Sequence, residues 1–385
     1  MSAGVRQTEL YLSSRCEDFF GAEITEKILE DFNGQNPDMQ VRLFHSPNKK
    51  IKEPDILVFD EVELGAAAAA GLVPLRIFSD SETYPDREQL AIPLVSFMDL
   101  LFYNIELLQS AGFDRPPKTR DEFLAYAKAV QENTGGAAGS AVCLNSQDKR
   151  ALSRDFFSWM FAAGNVFFTS DHDSGPVIDN RAFIADISFF GRLCREGLLA
   201  DFDITGERQL EDFAQGKIAM MIASTRAIPA LREVMGGDAF GITAVPASGS
   251  GAQYSVCLDS IYAGISAKTK HPDKAWRFLE FLIGQSPLLC EELKAVPGIV
   301  SELITGKYIK DDPFYSKAHD IFETSVVVHG FSGIAGSEEF ENIFREEIML
   351  YFETQNMERP RTERETAAAI QQRWDEFYNK AGEQQ

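Results

Sequence analysis

The sequence predicts an α/β fold with a mostly parallel sheet in its amino-terminal part. Three short apolar runs there have β-type composition, namely residues 9–12, Met39–Phe44 and Asp55–Phe59. A helical pattern separates the first two runs, with apolar residues at helical spacing from Ile24 to Phe32. Strands that alternate with helices in this way are typical of a layered α/β domain with parallel strands.

The carboxyl ends of these strands are the expected place for a ligand, because open α/β sheets bind ligands there. Two such ends can be located, at Ser13–Cys16 and at Phe59–Glu61. The second contains two adjacent carboxylates, Asp60 and Glu61, which could also form a catalytic pair. Adjacent residues on a loop need not face one another, so this signal is weak.

Three further helices are indicated by their start signals. Thr119 and Glu122 have the spacing of a capping box, as do Thr362 and Glu365, and Pro272 suits a first helical position. The aromatic stripes of these helices are predicted to pack in the core.

Length and charge limit the classes of function. At roughly 100–200 residues per domain, a chain of 385 residues predicts two or three domains. The chain has 37 Lys and Arg residues against 59 Asp and Glu residues, and its net charge is −22. Such a surface repels phosphate backbones and anionic lipids, so we expect no nucleic-acid partner and no polybasic membrane contact.

No uncharged apolar run approaches the roughly 18–20 residues of a membrane helix. The longest, Leu64–Leu75, is rich in alanine and predicts a packed helix. The first residues lack the apolar core of a secretory signal, which fits either a cytoplasmic protein or one whose signal has been removed. The five cysteines form no CxxC pair and are predicted to be buried free thiols: Cys16, Cys143, Cys194, Cys257 and Cys290.

Motifs for catalysis and cofactor binding are missing from the sequence. It contains no nucleophile elbow, dinucleotide fingerprint, phosphate loop or HExxH zinc motif. The acidic pairs Asp171 with Asp173 and Asp201 with Asp203 do not continue into a calcium-loop pattern, so we interpret them as solvated loop carboxylates. We therefore expect a binding protein with no cofactor, no metal and no catalytic residue.

Several segments carry a family resemblance, and they follow one another in the family's order along nearly the whole chain. They are Pro54–Phe59, Gly71–Leu75, Ala91–Leu94, Leu101–Asn104, Leu107–Phe113, Pro116–Phe123, Phe213–Ile222, Thr269–Leu279 and the aromatic carboxyl-terminal helices. The chain resembles the extracellular solute-binding proteins of ABC importers, in particular the sugar-binding group that includes maltose-binding protein.

This resemblance implies a periplasmic-binding-protein fold of two α/β lobes, joined by three crossings and closing on a ligand like a hinge. The N-lobe would contain 1–92 plus 262–312, and the C-lobe 93–261 plus 313–385. The resemblance also implies a monomer that is periplasmic or extracellular, with or without a lipid anchor, and that has a membrane permease as its partner.

Five ligand-binding residues are implied in the N-lobe. Ser14 and Arg15 match the loop after the first strand, where the family places polar contacts with the ligand. Phe59, Asp60 and Glu61 match the segment after the third strand, where an aromatic residue and a carboxylate usually meet the sugar. Aromatic faces cover the apolar face of a pyranose, and charged side chains hydrogen-bond its hydroxyls.

Six further positions complete the implied site. Phe97 matches a ligand-facing acidic position, Asp155 and Trp159 lie at the start of a helix that lines the cleft, and Phe340 matches an aromatic of the C-lobe. Three of these positions depart from the family pattern. Phe97 is apolar where the family has an acidic residue. Arg226 stands where an aromatic platform is common, and Asp259 replaces part of a glycine pair.

Two functional alternatives remain open beside saccharide capture. Arg226 and Arg15 could instead bind an anionic ligand, such as a phosphorylated polyol or an acidic sugar, because a guanidinium pairs well with phosphate and carboxylate. A carbohydrate-active enzyme could use Asp60 and Glu61, provided that the two carboxylates flank one glycosidic bond.

Overall fold

The computed structural model describes residues 7–45, 53–75, 90–134, 153–164, 177–199, 205–248, 254–299, 306–329 and 337–382. Asp171, Asp173, Asp201, Asp203 and Cys143 lie outside these ranges. The strands are β1 (Thr8–Ser13), β2 (Met39–Phe44), β3 (Ile56–Asp60), β4 (Ala91–Asn104), β5 (Met220–Ser224), β6 (Phe240–Thr243), β7 (Ser255–Ile265), β8 (Val296–Pro297) and β9 (Val326–His329).

The helices lie between and after these strands along the chain, singly or in consecutive groups. They are α1 (Arg15–Phe20), α2 (Ala22–Gln35), α3 (Leu64–Gly71), α4 (Ile105–Ser110), α5 (Arg120–Asn133), α6 (Ser158–Ala162), α7 (Arg181–Arg195), α8 (Gly206–Ala214), α9 (Ile228–Met235), α10 (Pro272–Gly284), α11 (Ser286–Leu293), α12 (Lys307–Asp311), α13 (Pro313–Thr324), α14 (Ser337–Thr354) and α15 (Glu363–Gly382). Within the described part, none of them is both long and apolar enough to cross a membrane.

The chain divides into two compact units, each assembled from separate segments. The first unit contains Met1–Phe97, Asp259–His319 and Phe331–Gly333, and the second contains Met98–Leu258, Asp320–Gly330 and Ile334–Gln385. Strands β4 and β7 and helix α13 each have residues in both units. The lobe limits expected from the sequence stay a prediction.

The first unit is built on the parallel strands predicted from the sequence. Strand β1 lies between β2 and β3 and is parallel to both. Strand β3 then pairs antiparallel with the second half of β7, with Asp60 opposite Ile261. Helix α2 covers this sheet through Phe32, whose ring meets Phe278 of α10 edge-on at 4.9 Å.

The second unit combines antiparallel strands with an aromatic core. From Asp99 onward, β4 pairs with β5 on one side and, from Leu101, with β6 on the other. The rings of Phe156 and Phe190 stack at 4.0 Å. The guanidinium of Arg120 is buried in this core, where it pairs with Asp186.

Helix starts follow the predicted signals in all three places. The Oγ1 atom of Thr119 accepts the amide N–H of Glu122, and Thr362 and Glu365 cap each other reciprocally. Pro272 is the first residue of α10. The start of α5 differs from a full capping box in one hydrogen bond, because the Glu122 side chain accepts from the N–H of Lys118 at 2.8 Å.

Three expectations need correction. The polar segment after β1 is helical, as α1. Helix α3 forms as predicted but has no fully buried residue; only part of it packs, through Leu64 and Ala67, on a small cluster around Tyr262. Cys194 is partly exposed, whereas Cys16, Cys257 and Cys290 are buried free thiols as expected, and burial raises the pKa of Cys16 to about 12.

Candidate functional site

The candidate site in the first unit begins where β1 and β3 end side by side. The two strands are parallel, with Leu12 opposite Ile56, so the segments after them are neighbours. Arg15 Nη2 donates to Glu63 Oε2 at 2.7 Å and thereby joins the two segments. Ser14 precedes α1 as its cap residue but makes no side-chain cap hydrogen bond.

Asp60 holds the turn that follows β3. The residues after it, Glu61–Glu63, form one turn of 3₁₀-helix whose first amides have no partner within the turn. Asp60 Oδ1 accepts the N–H of Glu63 at 3.1 Å, and Glu63 Oε2 accepts the N–H of Asp60 at 3.5 Å. This reciprocal cap fixes both carboxylates at the strand end.

Glu61 is a buried carboxylate, 7% exposed, with a hydroxyl donor from a distant part of the chain. The phenol of Tyr262 on β7 donates to Glu61 Oε2 at 2.7 Å. The ring of Tyr262 stacks on Phe59 with their centroids 6.1 Å apart and their planes 14° from parallel. The register explains the contact, because Phe59 lies opposite Tyr262 in the antiparallel pair.

Together these residues give the strand ends a dense set of hydrogen-bonding groups. The Asp60, Glu61 and Glu63 carboxylates accept hydrogen bonds, and the Arg15 guanidinium donates them. Arg15 is already paired with Glu63, and the cation adjoins the Phe19 ring at 5.2 Å. This arrangement suits a hydroxyl-rich ligand, since a hydroxyl both donates and accepts.

Arg226 lies just after the end of strand β5 in the second unit. Strand β5 ends at Ser224, whose hydroxyl accepts the N–H of Arg226 at 3.4 Å and caps a short 3₁₀ turn, Thr225–Ala227. Thr225 is fully buried and its Oγ1 accepts the N–H of Met98 on β4 at 3.1 Å. The turn is therefore fixed to β4, while the side chain of Arg226 is exposed.

Asp155 and Trp159 lie in and just after a π-helical turn, Ser153–Phe157. Asp155 is 1% exposed and accepts from the Gln209 amide at 3.0 Å. Trp159 is 2% exposed and packs edge-on against Phe123 at 4.7 Å. Its backbone carbonyl accepts from the buried guanidinium of Arg120. These contacts are those of a packed core, and a ligand contact by either residue stays a prediction.

The remaining three predicted residues differ in exposure. Phe97 and Phe340 are buried, and Phe340 meets Trp374 edge-on at 5.5 Å. Asp259 on β7 is partly exposed and lies next to Ser260, whose hydroxyl is bonded to that of Ser96. Ligand contact at these positions is likewise a prediction.

Two contacts of the cluster in the first unit could not be predicted from the sequence, namely Tyr262 with Glu61 and Glu63 with Arg15. Tyr262 is 201 residues from Glu61, and no local pattern shows which strand will face β3. Glu63 lies close to the predicted strand end in the sequence, but no local pattern indicates that it pairs with Arg15. Among the residues that the structure describes, no group of three His, Cys, Asp or Glu side chains could hold a metal ion.

Comparison with known families decides what kind of protein this is. Residues 21–286 match the family described as bacterial extracellular solute-binding protein. The chain belongs to this family. Membership confirms the resemblance inferred from the sequence and accounts for a chain built from two α/β units.

The individual relatives have low sequence identity to this chain. The chain is 25% identical over 202 residues to a protein of Brucella abortus (strain 2308) described as a binding protein, covering 51% of this chain and 47% of the relative. It is 22% identical over 249 residues to a Deinococcus radiodurans protein described as ABC transporter-binding, covering 62% and 58%. The chain thus spans about half the length of the curated relatives it matches.

A solved structure matches over nearly the full length. The sugar-binding protein MalE of Xanthomonas citri aligns with a TM-score of 0.78 at 16% identity, covering 97% of this chain and 98% of that one. At this identity the likeness shows the fold alone. It confirms the predicted α/β periplasmic-binding-protein fold of this family member.

Proposed function

We propose that this solute-binding protein is the substrate-capturing component of a bacterial ABC importer and that its ligand is a saccharide. The supporting observation is the cluster at the ends of β1 and β3, where Asp60, Glu61 and Arg15 lie beside the stacked Phe59 and Tyr262 rings. The side chains of Arg15 and Glu63, which are 46% and 40% exposed, can hydrogen-bond the hydroxyls of a pyranose. The buried rings of Phe59 and Tyr262 hold Glu61 in position beside them.

The protein acts as a carrier without catalysing a reaction. It delivers the bound sugar to a membrane permease, while other chains supply transport and ATP hydrolysis. As a member of an extracellular family it works as a monomer in the periplasm or at the cell surface, with or without a lipid anchor. The carboxylate of Asp60 caps a turn and that of Glu61 accepts from Tyr262, so both are engaged in structure rather than placed as an acid and base pair.

An anionic ligand is the second candidate, and Arg226 favours it. Its exposed guanidinium follows a strand end in the second unit and could pair with a phosphate or carboxylate. Arg15 argues against this candidate, because its charge is balanced by Glu63 at 2.7 Å. Three carboxylates accompany that one guanidinium, so the first unit disfavours an anion.

Thermal unfolding with a panel of sugars tests the proposal. A ligand at 100 times its Kd adds about 2.7 kcal/mol to the free energy of unfolding, which raises Tm by about 3–4 °C for a chain of 385 residues that unfolds as one unit. We expect such a shift with a neutral mono- or oligosaccharide. A shift with sugar phosphates or uronic acids alone would favour the anionic alternative, and no shift with any sugar would contradict the proposal.

A further inference from the structure

Two buried serines form a hydrogen bond between strands β4 and β7. The Oγ atoms of Ser96 and Ser260 are 2.8 Å apart, and both residues are 0% exposed. The flanking residues Val95, Phe97 and Ile261 are apolar and buried. A buried hydroxyl without a partner is destabilising, so each serine satisfies the other.

This serine pair lies where both strands leave the first unit. On β4 the first unit ends at Phe97, one residue after Ser96. On β7 the same unit begins at Asp259, one residue before Ser260. The hydrogen bond therefore joins two of the connections between the units, within two residues of each boundary.

Hydroxyl side chains also hold β4 on either side of the serine pair. The ladder with β8 covers Val95 and Ser96, and the ladder with β5 starts at Asp99. At Met98, the first residue of the second unit on this strand, the N–H donates to Thr225 Oγ1 at 3.1 Å. The backbone of β4 is thus fixed immediately before and after Phe97.

We propose that Ser96 and Ser260 are positioning residues that fix β4 and β7 relative to each other at the boundary and so set the equilibrium between conformers of the protein. Their role requires no contact with a ligand. This positioning role rests on the proposed function, because a binding protein that closes on its ligand changes its backbone conformation where the units are connected.

Loss of this hydrogen bond should change the conformer equilibrium measurably. The net stabilisation from one buried hydrogen bond corresponds to a change of about fivefold in the ratio of two conformers. The ratio changes only if the bond differs between the conformers, and we expect such a difference because β4 and β7 cross the boundary at this point.

Distances between two spin labels, one on each unit, provide the test. Lys27→Cys on α2 and Lys128→Cys on α5 are exposed labelling sites. They are combined with Cys194→Ser, because Cys194 is partly exposed, and with Cys143→Ser, because Cys143 lies outside the described residues. The full chain without ligand is measured by double electron–electron resonance. Ser96→Ala and Ser260→Ala are compared with Ser286→Ala, whose buried hydroxyl donates to the Leu94 carbonyl of the same strand at 3.0 Å.

We expect Ser96→Ala and Ser260→Ala to change the population ratio about fivefold or to broaden the distribution, and Ser286→Ala to leave it unchanged. The double variant Ser96→Ala with Ser260→Ala leaves no unpaired hydroxyl, so it should fold well and still show the change. A distribution within about twofold of the parent protein in all variants would overturn the proposal. Because no sugar is added, this result is independent of whether the protein binds one.

Discussion

Tyr262 is the residue on which the geometry of Glu61 most directly depends. Its hydroxyl donates to the buried carboxylate at 2.7 Å while its ring stacks on Phe59. Tyr262→Phe keeps the ring but removes this donor. We expect a loss of about 1–3 kcal/mol in the free energy of unfolding, measured with urea, because a buried carboxylate loses a hydrogen bond.

Glu61→Gln is the matched control for this prediction. The amide still accepts from Tyr262 and carries no charge to desolvate, so the loss should be smaller than in Tyr262→Phe. If Tyr262→Phe unfolds at the same urea concentration as the parent protein, the hydroxyl contributes nothing to the cluster.

Arg226 should decide which class of ligand binds. A charge-assisted and partly desolvated contact is worth about 1.5–3 kcal/mol, so Arg226→Ala should weaken binding roughly 10- to 150-fold in calorimetric titrations. Arg226→Lys keeps the charge but loses the planar fork and should rescue little if the guanidinium stacks or binds in a bidentate manner.

The control for Arg226 is Arg208→Ala, which removes an exposed arginine paired with Asp212 on α8. We expect unchanged affinity there, because Arg208 already pairs with Asp212 and an exposed ion pair contributes only about 0–1 kcal/mol to stability. Rescue by Arg226→Lys for anionic ligands alone would favour the anionic alternative. Unchanged affinity in both Arg226 variants would remove this residue from the site.

Local sequence patterns predicted part of the cluster because strand ends can be located from apolar runs. Arg15, Asp60 and Glu61 each follow such a run, and the structure places them at adjacent strand ends. The pairing of Glu61 with Tyr262 depends on which strands become neighbours, which a single local pattern does not encode. Trp159 was predicted to contact the ligand but is buried among aromatic side chains. Its sequence pattern could not distinguish the two roles, because an aromatic residue at helical spacing occurs both in cores and in binding sites.

At the scale of elements, the start of α5 carries a pH-dependent contribution to stability. Arg115 hydrogen-bonds to Glu122 and, with the N–H of Lys118, lowers the pKa of that carboxyl to about 2. A lowered pKa in the folded state stabilises the protein above the ordinary value of about 4.3, and this stabilisation is lost as the pH falls towards 2.

Glu122→Gln should therefore flatten the acid branch of the stability curve. The Glu122 side chain is 33% exposed, so solvent screening limits the effect to about 0.2–1 kcal/mol. Free energies of unfolding measured between pH 4.5 and 2 should fall less steeply in the variant than in the parent protein. Glu196→Gln, which removes an exposed partner of Arg192 on α7, is the control. Equal slopes in Glu122→Gln and the parent protein would contradict the prediction.

Elements with strong local signals were predictable, and elements stabilised by tertiary contacts were not. Strands β1–β3 and the starts of α5, α10 and α15 have apolar runs, capping residues or a first-position proline. Helix α1 has no side-chain cap and only six residues, and it is anchored by burying Cys16 and Phe20. Nothing in its polar sequence distinguishes it from a loop, because its stabilisation comes from packing.

At the scale of the whole molecule, the main feature is the order in which chain segments are assigned to the two units. Each unit combines parts of the chain far apart in sequence, and composition alone cannot predict such a division. The family resemblance implies a division of this kind, because its motifs occur in a fixed order along the chain, and the lobe limits that it implies stay a prediction. Saccharide binding remains our proposal, and the polar cluster at the strand ends of the first unit supports it.

Native mass spectrometry of the purified protein with a panel of sugars tests saccharide capture most directly. The panel contains neutral mono- and oligosaccharides, sugar phosphates and uronic acids, and any bound compound is released and weighed after incubation. We predict a one-to-one complex with a neutral saccharide, recovered with its mass unchanged. Recovery of a cleaved sugar, or complexes with none of the neutral saccharides, would contradict the account.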